Sequence, residues 1–455
     1  MRIGFISTFP PIECGIATYT SYLREALEDI ENETFVISQF GAQGDRVFPI
    51  YKPNAPAFSS DVFHTSTEMT PDVMHVQHEY GLYGPHKGVH IIELLLRYRL
   101  AGLSVVTTLH TISEELRDYE ERILKHVVDE SSAVIVHEEF QRETLFKYFG
   151  TMRHIKDKTH VIEHGVREAG PVPDAKRKLG LEGRKVVLLC GYFRPSKGLH
   201  KIIDAFQHIS RRDADAVLVV AGKTRNVEFD DYRRELYTKL NTSPVADRIR
   251  VFRGQFPQHT FDTIVSAADV VVLPYESGAQ SGVMAQCFAN HVPVVASNLR
   301  AFNLAIDRSG GGLTCARDED YVDTILKILN DAGLRRRLKE NIRRYISGGA
   351  GWSRIARQHV AVYHQVTTVP YGGARYVYFP EPRGETDEGG RIRRDGIPRT
   401  PSSRRRWSGR RRTATGSGAS STPAPAGSAM RSCCCFASRR IARQARGKPR
   451  CRWRT

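Results

Sequence analysis

The sequence predicts an α/β protein built of two successive doubly wound, parallel-sheet units and a C-terminal tail that stays disordered. Three observations carry this expectation. Short β-rich apolar runs alternate with longer amphipathic stretches from the start, the alternation begins afresh after a turn-rich segment, and from about Tyr371 the apolar period disappears. Strand and helix alternating through short loops give a parallel sheet covered on both faces.

In the first unit, Arg2 to Ser7, Thr34 to Gln39, Val73 to Gln77, Ser104 to Leu109, Ala133 to His137 and His160 to Glu163 read as strands. Helical spacing falls at Ala17 to Glu28, Val89 to Leu100, Glu114 to Val128 and Glu139 to Phe149. The segment REAGPVPDAKRKLGLEG, residues 167–183, is too rich in turn formers for either. Beyond it, Lys185 to Cys190, Ala216 to Ala221, Ile249 to Arg253, Val270 to Leu273 and Val292 to Ala296 are strands of a second unit. Its helical patterns are Gly198 to Ile209, Tyr232 to Leu240, His259 to Ala267, Gly282 to Ala289 and the stretch 319–346. A last helix runs from Trp352 to Val366, with Ile355, Ala356, His359, Val360 and Tyr363 on one face. The expected organisation is a first domain over 1–168, a linker over 169–184, a second domain over 185–350, a helix over 351–368 and a disordered tail over 371–455.

Composition narrows the class. A chain of 455 residues with 40% apolar side chains suits two or three domains. The net charge of +17 suggests nucleic acid until it is located, because residues 371–455 hold 21 Lys+Arg against 5 Asp+Glu. Residues 1–370 then carry 46 basic and 45 acidic side chains, so the body is nearly neutral and nucleic acid is not its expected partner. The tail, with RRRWSGRRR at 404–412, suits peripheral contact with anionic membrane. It equally resembles GC-rich DNA read in a frame not selected for folding. Cys14, Cys190, Cys287 and Cys315 are scattered without a CxxC, against a zinc cage or disulfide framework. MRIGFIST is a first strand and not a signal peptide, and no 18-residue apolar span occurs, so a cytoplasmic protein is expected.

In open parallel sheets, ligands bind beyond the carboxyl ends of the strands, where helix N-termini offer N–H groups to anions. The loops at that station are STFPPIECGIATYT, QHEYGLYG, LHTISEE and EHGVRE in the first unit, and GYFRPSKG and PYESGAQSGVMAQ in the second. Arg194 and Lys197 flank Pro195 just before a helix. Cations there oppose the helix dipole by ~0.3–1 kcal/mol each unless an anion sits between them, and a guanidinium with an ammonium suits a diphosphate. In the other loop Gly278 and Gly282 allow close backbone approach, with Gln280 and Ser281 in the same turn, and Glu276 and Gln286 can bond sugar hydroxyls. His78, His110 and His164 stand at three strand ends of one sheet. GxGxxG, GxxxxGK[ST] and HExxH are absent, and Asp213 and Asp215 precede a strand, as loop acids do.

Seven stretches in order, FPPIECGIATYT (9–20), QHEYGLYG (77–84), VVTTLHT (105–111), VIEHGV (161–166), GYFRPSKGLHKIIDAF (191–206), ADVVVLPY (268–275) and QSGVMAQCFANHVPVVAS (280–297), resemble the family 4 glycosyltransferases. The resemblance covers residues 1 to about 366. It implies the GT-B fold, two Rossmann-like domains facing a cleft, and transfer of a hexose from a nucleotide-diphosphate sugar to an acceptor hydroxyl with retained configuration. It further implies that Arg194 and Lys197 hold the diphosphate, that His110 faces the donor hexose, that Gly15 approaches the diphosphate, and that no metal or other cofactor is required. Glu276, Gly278, Gln280, Ser281, Gly282 and Gln286 would line the donor side, and His78, Glu79 and His164 the acceptor side. The helix from Trp352 would cross back onto the first domain. The chain departs from the family at Gly278 and Gln286, where a pair of glutamates is usual, at His291 in place of a glycine, at Thr111 in place of an acid, and at Tyr192 in place of an arginine. Asn290 is the expected left-handed residue in place of that glycine. The lost glutamates leave a second expectation open, a GT-B-shaped binding or scaffolding protein without turnover.

Overall fold

In the computed structural model, residues 1–152, 154–224, 229–278 and 281–368 are described, and all fall within one compact unit. The expected tail and Gln280 lie outside the described residues. The first sheet comprises β1 (Arg2–Ile6), β2 (Glu33–Gln39), β3 (Val47–Tyr51), β4 (Val73–His78), β5 (Val105–Leu109), β6 (Ala133–Val136) and β7 (Thr159–Val161). Its order is β3-β2-β1-β4-β5-β6-β7. The second sheet, β8 (Lys185–Tyr192), β9 (Ala216–Lys223), β10 (Ile249–Arg253), β11 (Val270–Leu273), β12 (Val294–Ser297) and β13 (Gly312–Cys315), is ordered β10-β9-β8-β11-β12-β13. Every pairing is parallel, and the central strands are buried on both faces, as all six residues of β4 are. Apolar residues at every position, as in VVLLC of β8, serve such two-sided burial.

The strand order reverses between β1 and β4 in one sheet and between β8 and β11 in the other. These are the switch points at which open sheets part to admit ligands. The loops that leave β1, β4, β8 and β11 are therefore set at the two crevices by topology alone.

Several elements differ from the sequence expectation. β3 carries Pro49 in its middle and was not expected; it is tolerated because β3 is an edge strand whose register shifts beside Ser38 and Gln39. β13 is the other unexpected edge strand, drawn from a glycine-rich run. The polar stretch Phe58–Glu68 is a helix held by Phe58 and Val62 against the first core. Residues 319–346 form two helices, Asp320–Asn330 and Ala332–Tyr345, separated at Asp331, whose carboxylate caps the second by accepting from Leu334 N at 2.8 Å. The left-handed turn expected at Asn290 falls on His291, with φ of 54° against −98° for Asn290.

The helix Trp352–Thr368 lies on the first domain. Trp352, Ile355, Ala356, Val362, Tyr363 and Val366 share a core with Ile3, Phe5, Tyr19 and Leu23. Its start is fixed by Gly165, where a Cβ would fall 2.3 Å from the Trp352 ring.

Candidate functional site

Tyr19, projecting from the helix Gly15–Glu28, gathers the strand ends of the first sheet. Its ring packs against His110, His137, His164 and Trp352 at centroid distances of 4.8, 5.4, 5.2 and 5.0 Å. A buried polar chain runs behind it. Tyr363 Oη contacts His75 Nδ1 at 2.6 Å, His75 Nε2 meets Thr108 at 2.8 Å and Gln77 at 3.3 Å, and Gln77 meets His110 Nε2 at 2.8 Å. His110 Nδ1 then meets His137 Nε2 at 3.3 Å, and His137 Nδ1 faces the carbonyl of Ile162 at 2.9 Å. A carbonyl can only accept, so His137 carries its proton on Nδ1 and accepts at Nε2, which makes His110 Nδ1 the donor. His110 Nε2 is then bare and is satisfied when the Gln77 amide turns its NH2 toward it, its oxygen accepting from His75. His75, His110 and His137 are all neutral in this order. Burial agrees, lowering His75 and His110 well below the ordinary imidazole value and His137 to about 3.

His110 is thus placed at the crevice but 8% exposed, with both ring nitrogens turned inward. It meets a ligand through a nitrogen only if one of those contacts breaks. His78 is the reverse case: buried, with neither ring nitrogen partnered, and lowered by burial to about 4. Glu79 accepts from Thr111 Oγ1 at 2.6 Å and from Tyr80 N at 3.0 Å. Burial raises its pKa, opposed by those bonds and by the charge of Arg194 across the crevice. The Glu79 carboxylate, just after β4, therefore stands beside Thr111.

In the second domain, Gly198 takes φ of 60°, and a Cβ there would meet the Pro274 carbonyl at 2.1 Å. This contact, with Glu276 N donating to Ser196 O at 3.0 Å, knits the basic loop to the turn after β11. Lys197 Nζ lies 3.3 Å from the centroid of the Tyr275 ring. Burial, then the neighbouring Arg194, lower its pKa to about 7. Ser281 caps the helix Gly282–Ala289, its Oγ accepting from Met284 N at 3.3 Å. A Cβ at Gly282 or at Gly15 meets nothing within 4 Å, so both backbones face open space. Gly15 is the first residue of its helix and not part of the loop before it. Gly278 is exposed, and Glu276 is drawn to Lys201 at 3.5 Å.

Gln286 is engaged elsewhere. Its Oε1 accepts from Arg167 at 2.9 Å and Gln258 at 3.2 Å, and its amide donates to Tyr22 Oη at 3.4 Å. Arg167 also pairs with Asp262, which Asn290 bonds at 3.0 Å. Gln286 thus joins residues of the two domains. Further cross-domain pairs are Lys223 with Glu13 at 2.6 Å, Arg300 with Glu143 at 3.0 Å, and Arg308 with Glu138 at 2.7 Å and Glu163 at 3.4 Å.

One crevice of about 50 Å³ is lined by Glu138, Glu163 and His164 of the first domain and by Ser281, Ala285 and Arg308 of the second. It brings His164 and Ser281 together from the two expected sides. Tyr19, Gln77, His137, Arg167 and Arg308 were not singled out in the sequence. His137 stands at a strand end as His78 and His110 do, a signal that was present; Arg167 lies in a turn-rich run and Arg308 on the exposed side of a half-buried helix, where nothing marks them. Among the described residues no group of acidic, His and Cys side chains suits a metal, and no helix is long and apolar enough to cross a membrane.

Residues 172–345 match the family model for glycosyl transferases group 1. Curated relatives include the phosphatidyl-myo-inositol mannosyltransferase of Mycolicibacterium smegmatis, 25% identical over 405 residues, 81% of this chain and 94% of that protein. Another is the alpha-D-kanosaminyltransferase of Streptomyces kanamyceticus, 24% identical over 196 residues, 42% of this chain and 49% of the relative. The matched part thus spans about half of that relative. Among solved structures, Alr3699/HepE of Anabaena, crystallised with UDP-glucose, superposes with a TM-score of 0.64 at 16% identity, covering 80% of this chain and all of the other. The fold is GT-B, and the match supports a glycosyltransferase family.

Proposed function

We propose that the protein is a group 1 glycosyltransferase that moves a hexose, with retention, from a nucleotide-diphosphate sugar to an acceptor hydroxyl. The observation that carries this reading is the joining of the Arg194–Lys197 loop to the turn before the helix Gly282–Ala289, opposite the strand ends that hold His78, Glu79 and His164. A guanidinium, an ammonium and first-turn amides at one place suit a departing diphosphate. The solved neighbour crystallised with UDP-glucose and the mannosyltransferase relative accord with a sugar nucleotide.

In the reaction the C1–O bond to the diphosphate breaks and its electron pair stays on the phosphate oxygen, where Arg194 and Lys197 oppose the charge. The acceptor oxygen bonds to C1 on the face the diphosphate leaves, and its proton passes to the departing phosphate. This scheme places the whole neutralisation on side chains and amides and calls for no metal. His110, held neutral, would present its ring to the hexose, while His78 and Glu79 would meet the acceptor. Losing Arg194 or Lys197 is expected to cost on the order of 10²–10³ in rate.

A second reading, a binding protein without turnover, is favoured by Gly278 and by the engagement of Gln286 with Arg167 and Tyr22. Incubation with UDP-, GDP- and ADP-sugars separates the two. Nucleotide release that disappears in Arg194→Ala supports the enzyme; a thermal shift without release supports the binding protein; neither with any donor rejects both.

A further inference from the structure

On the second domain a cleft of about 650 Å³ opens between the carboxyl ends of β9 and β10 and the helix Asp230–Thr242. Clefts that hold small molecules measure roughly 300–1,000 Å³. Lys223, the last residue of β9, and Arg253, the last of β10, line one side. The helix supplies the other. Arg233, Tyr237 and Asn241 are four residues apart and fall on one row of it, with Arg234 and Thr238 on the next, while Leu236 and Leu240 turn to the core.

This place is distinct from the donor side described above. Val251 packs against the core that holds Leu236 and Leu240, whereas Phe252 and Phe256 pack against the one that holds Met284, so successive residues of β10 face opposite sides of the sheet. Arg253 follows Val251. The cleft therefore lies on the face away from the helix Gly282–Ala289, and Arg194, Lys197, Ser281 and Gln286 take no part in its lining.

Its charge has one sign. The described lining holds four cations, Lys223, Arg233, Arg234 and Arg253, and no carboxylate. Three acids pair with these cations without lining the cleft: Glu13 with Lys223 at 2.6 Å, Asp230 with Arg233 at 3.3 Å, and Asp231 with Arg234. Arg253 is the cation in excess. Its guanidinium lies 4.3 Å from the centroid of the Tyr237 ring and pairs with no acid among the described residues. The three pairs are solvent-exposed, contribute little and exchange partners readily. A phosphate dianion offers several oxygens to the same guanidinium groups at once, the geometry in which arginine binds most strongly. Thr224, Thr238 and Asn241 add hydroxyl and amide groups that can bond a polyol.

We propose that this cleft binds a phosphorylated sugar, its phosphate among Lys223, Arg233 and Arg253 and its hydroxyls toward Thr238 and Asn241, at a site separate from the donor crevice. The site is additional to the transfer proposed above, and binding reads it without turnover, so either can fail alone. The full chain is titrated by calorimetry at low salt with glucose 6-phosphate, with inorganic phosphate and with glucose.

Glucose 6-phosphate is expected to bind, inorganic phosphate to bind more weakly and glucose not to bind. Arg233→Gln/Arg253→Gln is expected to lower the affinity for glucose 6-phosphate on the order of 10-fold or more, because charge-assisted bonds go with it. Neither side chain is in a core, so the double variant should melt as wild type does without ligand; should it melt lower, Arg234→Gln/Thr238→Val carries the same comparison. Arg194→Ala, which removes a charge from the donor side, is expected to bind glucose 6-phosphate as wild type. Equal affinity in wild type and the cleft variants, or no binding of either phosphate, overturns the proposal. Loss of binding in Arg194→Ala overturns the separate site, and equal affinity for inorganic phosphate and glucose 6-phosphate overturns the sugar as part of the ligand.

Discussion

At the scale of single residues, Lys197 is the most informative. Its ammonium sits over Tyr275 near Arg194, and burial brings its pKa to about 7. Below that value it is charged in the free protein; above it, binding a diphosphate must first draw a proton from solvent. Donor affinity should therefore be flat below about pH 7 and fall by up to about tenfold per pH unit above it, until the pKa of the bound state is reached. Lys197→Arg, charged throughout, should flatten the profile, and calorimetric titrations in buffers of different ionisation enthalpy should show proton uptake at pH 8 for wild type alone. A profile identical in both proteins would place Lys197 away from the diphosphate. The charge pattern of this loop was legible in GYFRPSKG. What no sequence pattern disclosed is the company each group keeps: that Gln286 is spent on Arg167 and Tyr22, or that His110 turns both nitrogens to Gln77 and His137. Those contacts join residues that are far apart in the chain.

At the scale of elements, period and burial explain which pieces were readable. β8 is central and apolar along VVLLC, so it stood out; β3 and β13 are edge strands that tolerate Pro49 and a glycine run, so their residues carried no strand signal. The helix Phe58–Glu68 is polar on most of its surface and is fixed by packing rather than by pattern. The helix Trp352–Thr368 was legible by its period, yet its position depends on one glycine in another segment. At Gly165 a methyl would enter the Trp352 ring, which itself packs on Tyr19 and His164. Gly165→Ala should cost about 1–3 kcal/mol through overpacking, read as a lowered urea midpoint, and the quenching environment of Trp352 should change with it. Unaltered stability and fluorescence would mean that the helix is not seated through this contact.

At the scale of the whole molecule, the first domain carries an acid-sensitive core. His75, His78, His110, His137 and His359 are all buried, with pKa values depressed chiefly by burial, to about 4 for His78 and His359 and about 3 for His137. In the unfolded chain the same groups titrate near ~6.5. A group whose folded pKa lies below its unfolded value contributes stability that is complete above the unfolded pKa and is lost as pH falls toward the folded one. Here that window runs from about 6.5 down to about 3–4. Each such histidine steepens the loss by about 1.4 kcal/mol per pH unit within its window, so even two of them give a slope near 3 kcal/mol. Stability from urea melts should fall steeply between pH 6 and 4.5, alongside whatever the carboxylates add at lower pH, while above pH 7 the histidines add no slope. His359 isolates the effect, because its Nδ1 bonds the Ile355 carbonyl within its own helix and its Nε2 has no partner, so it can be replaced without cutting the chain from Tyr363 to His137. His359→Leu should reduce the slope by about one proton while leaving stability above pH 7 nearly as high. If the variant falls as steeply as wild type, the neutral buried imidazoles are not what makes the fold acid-labile.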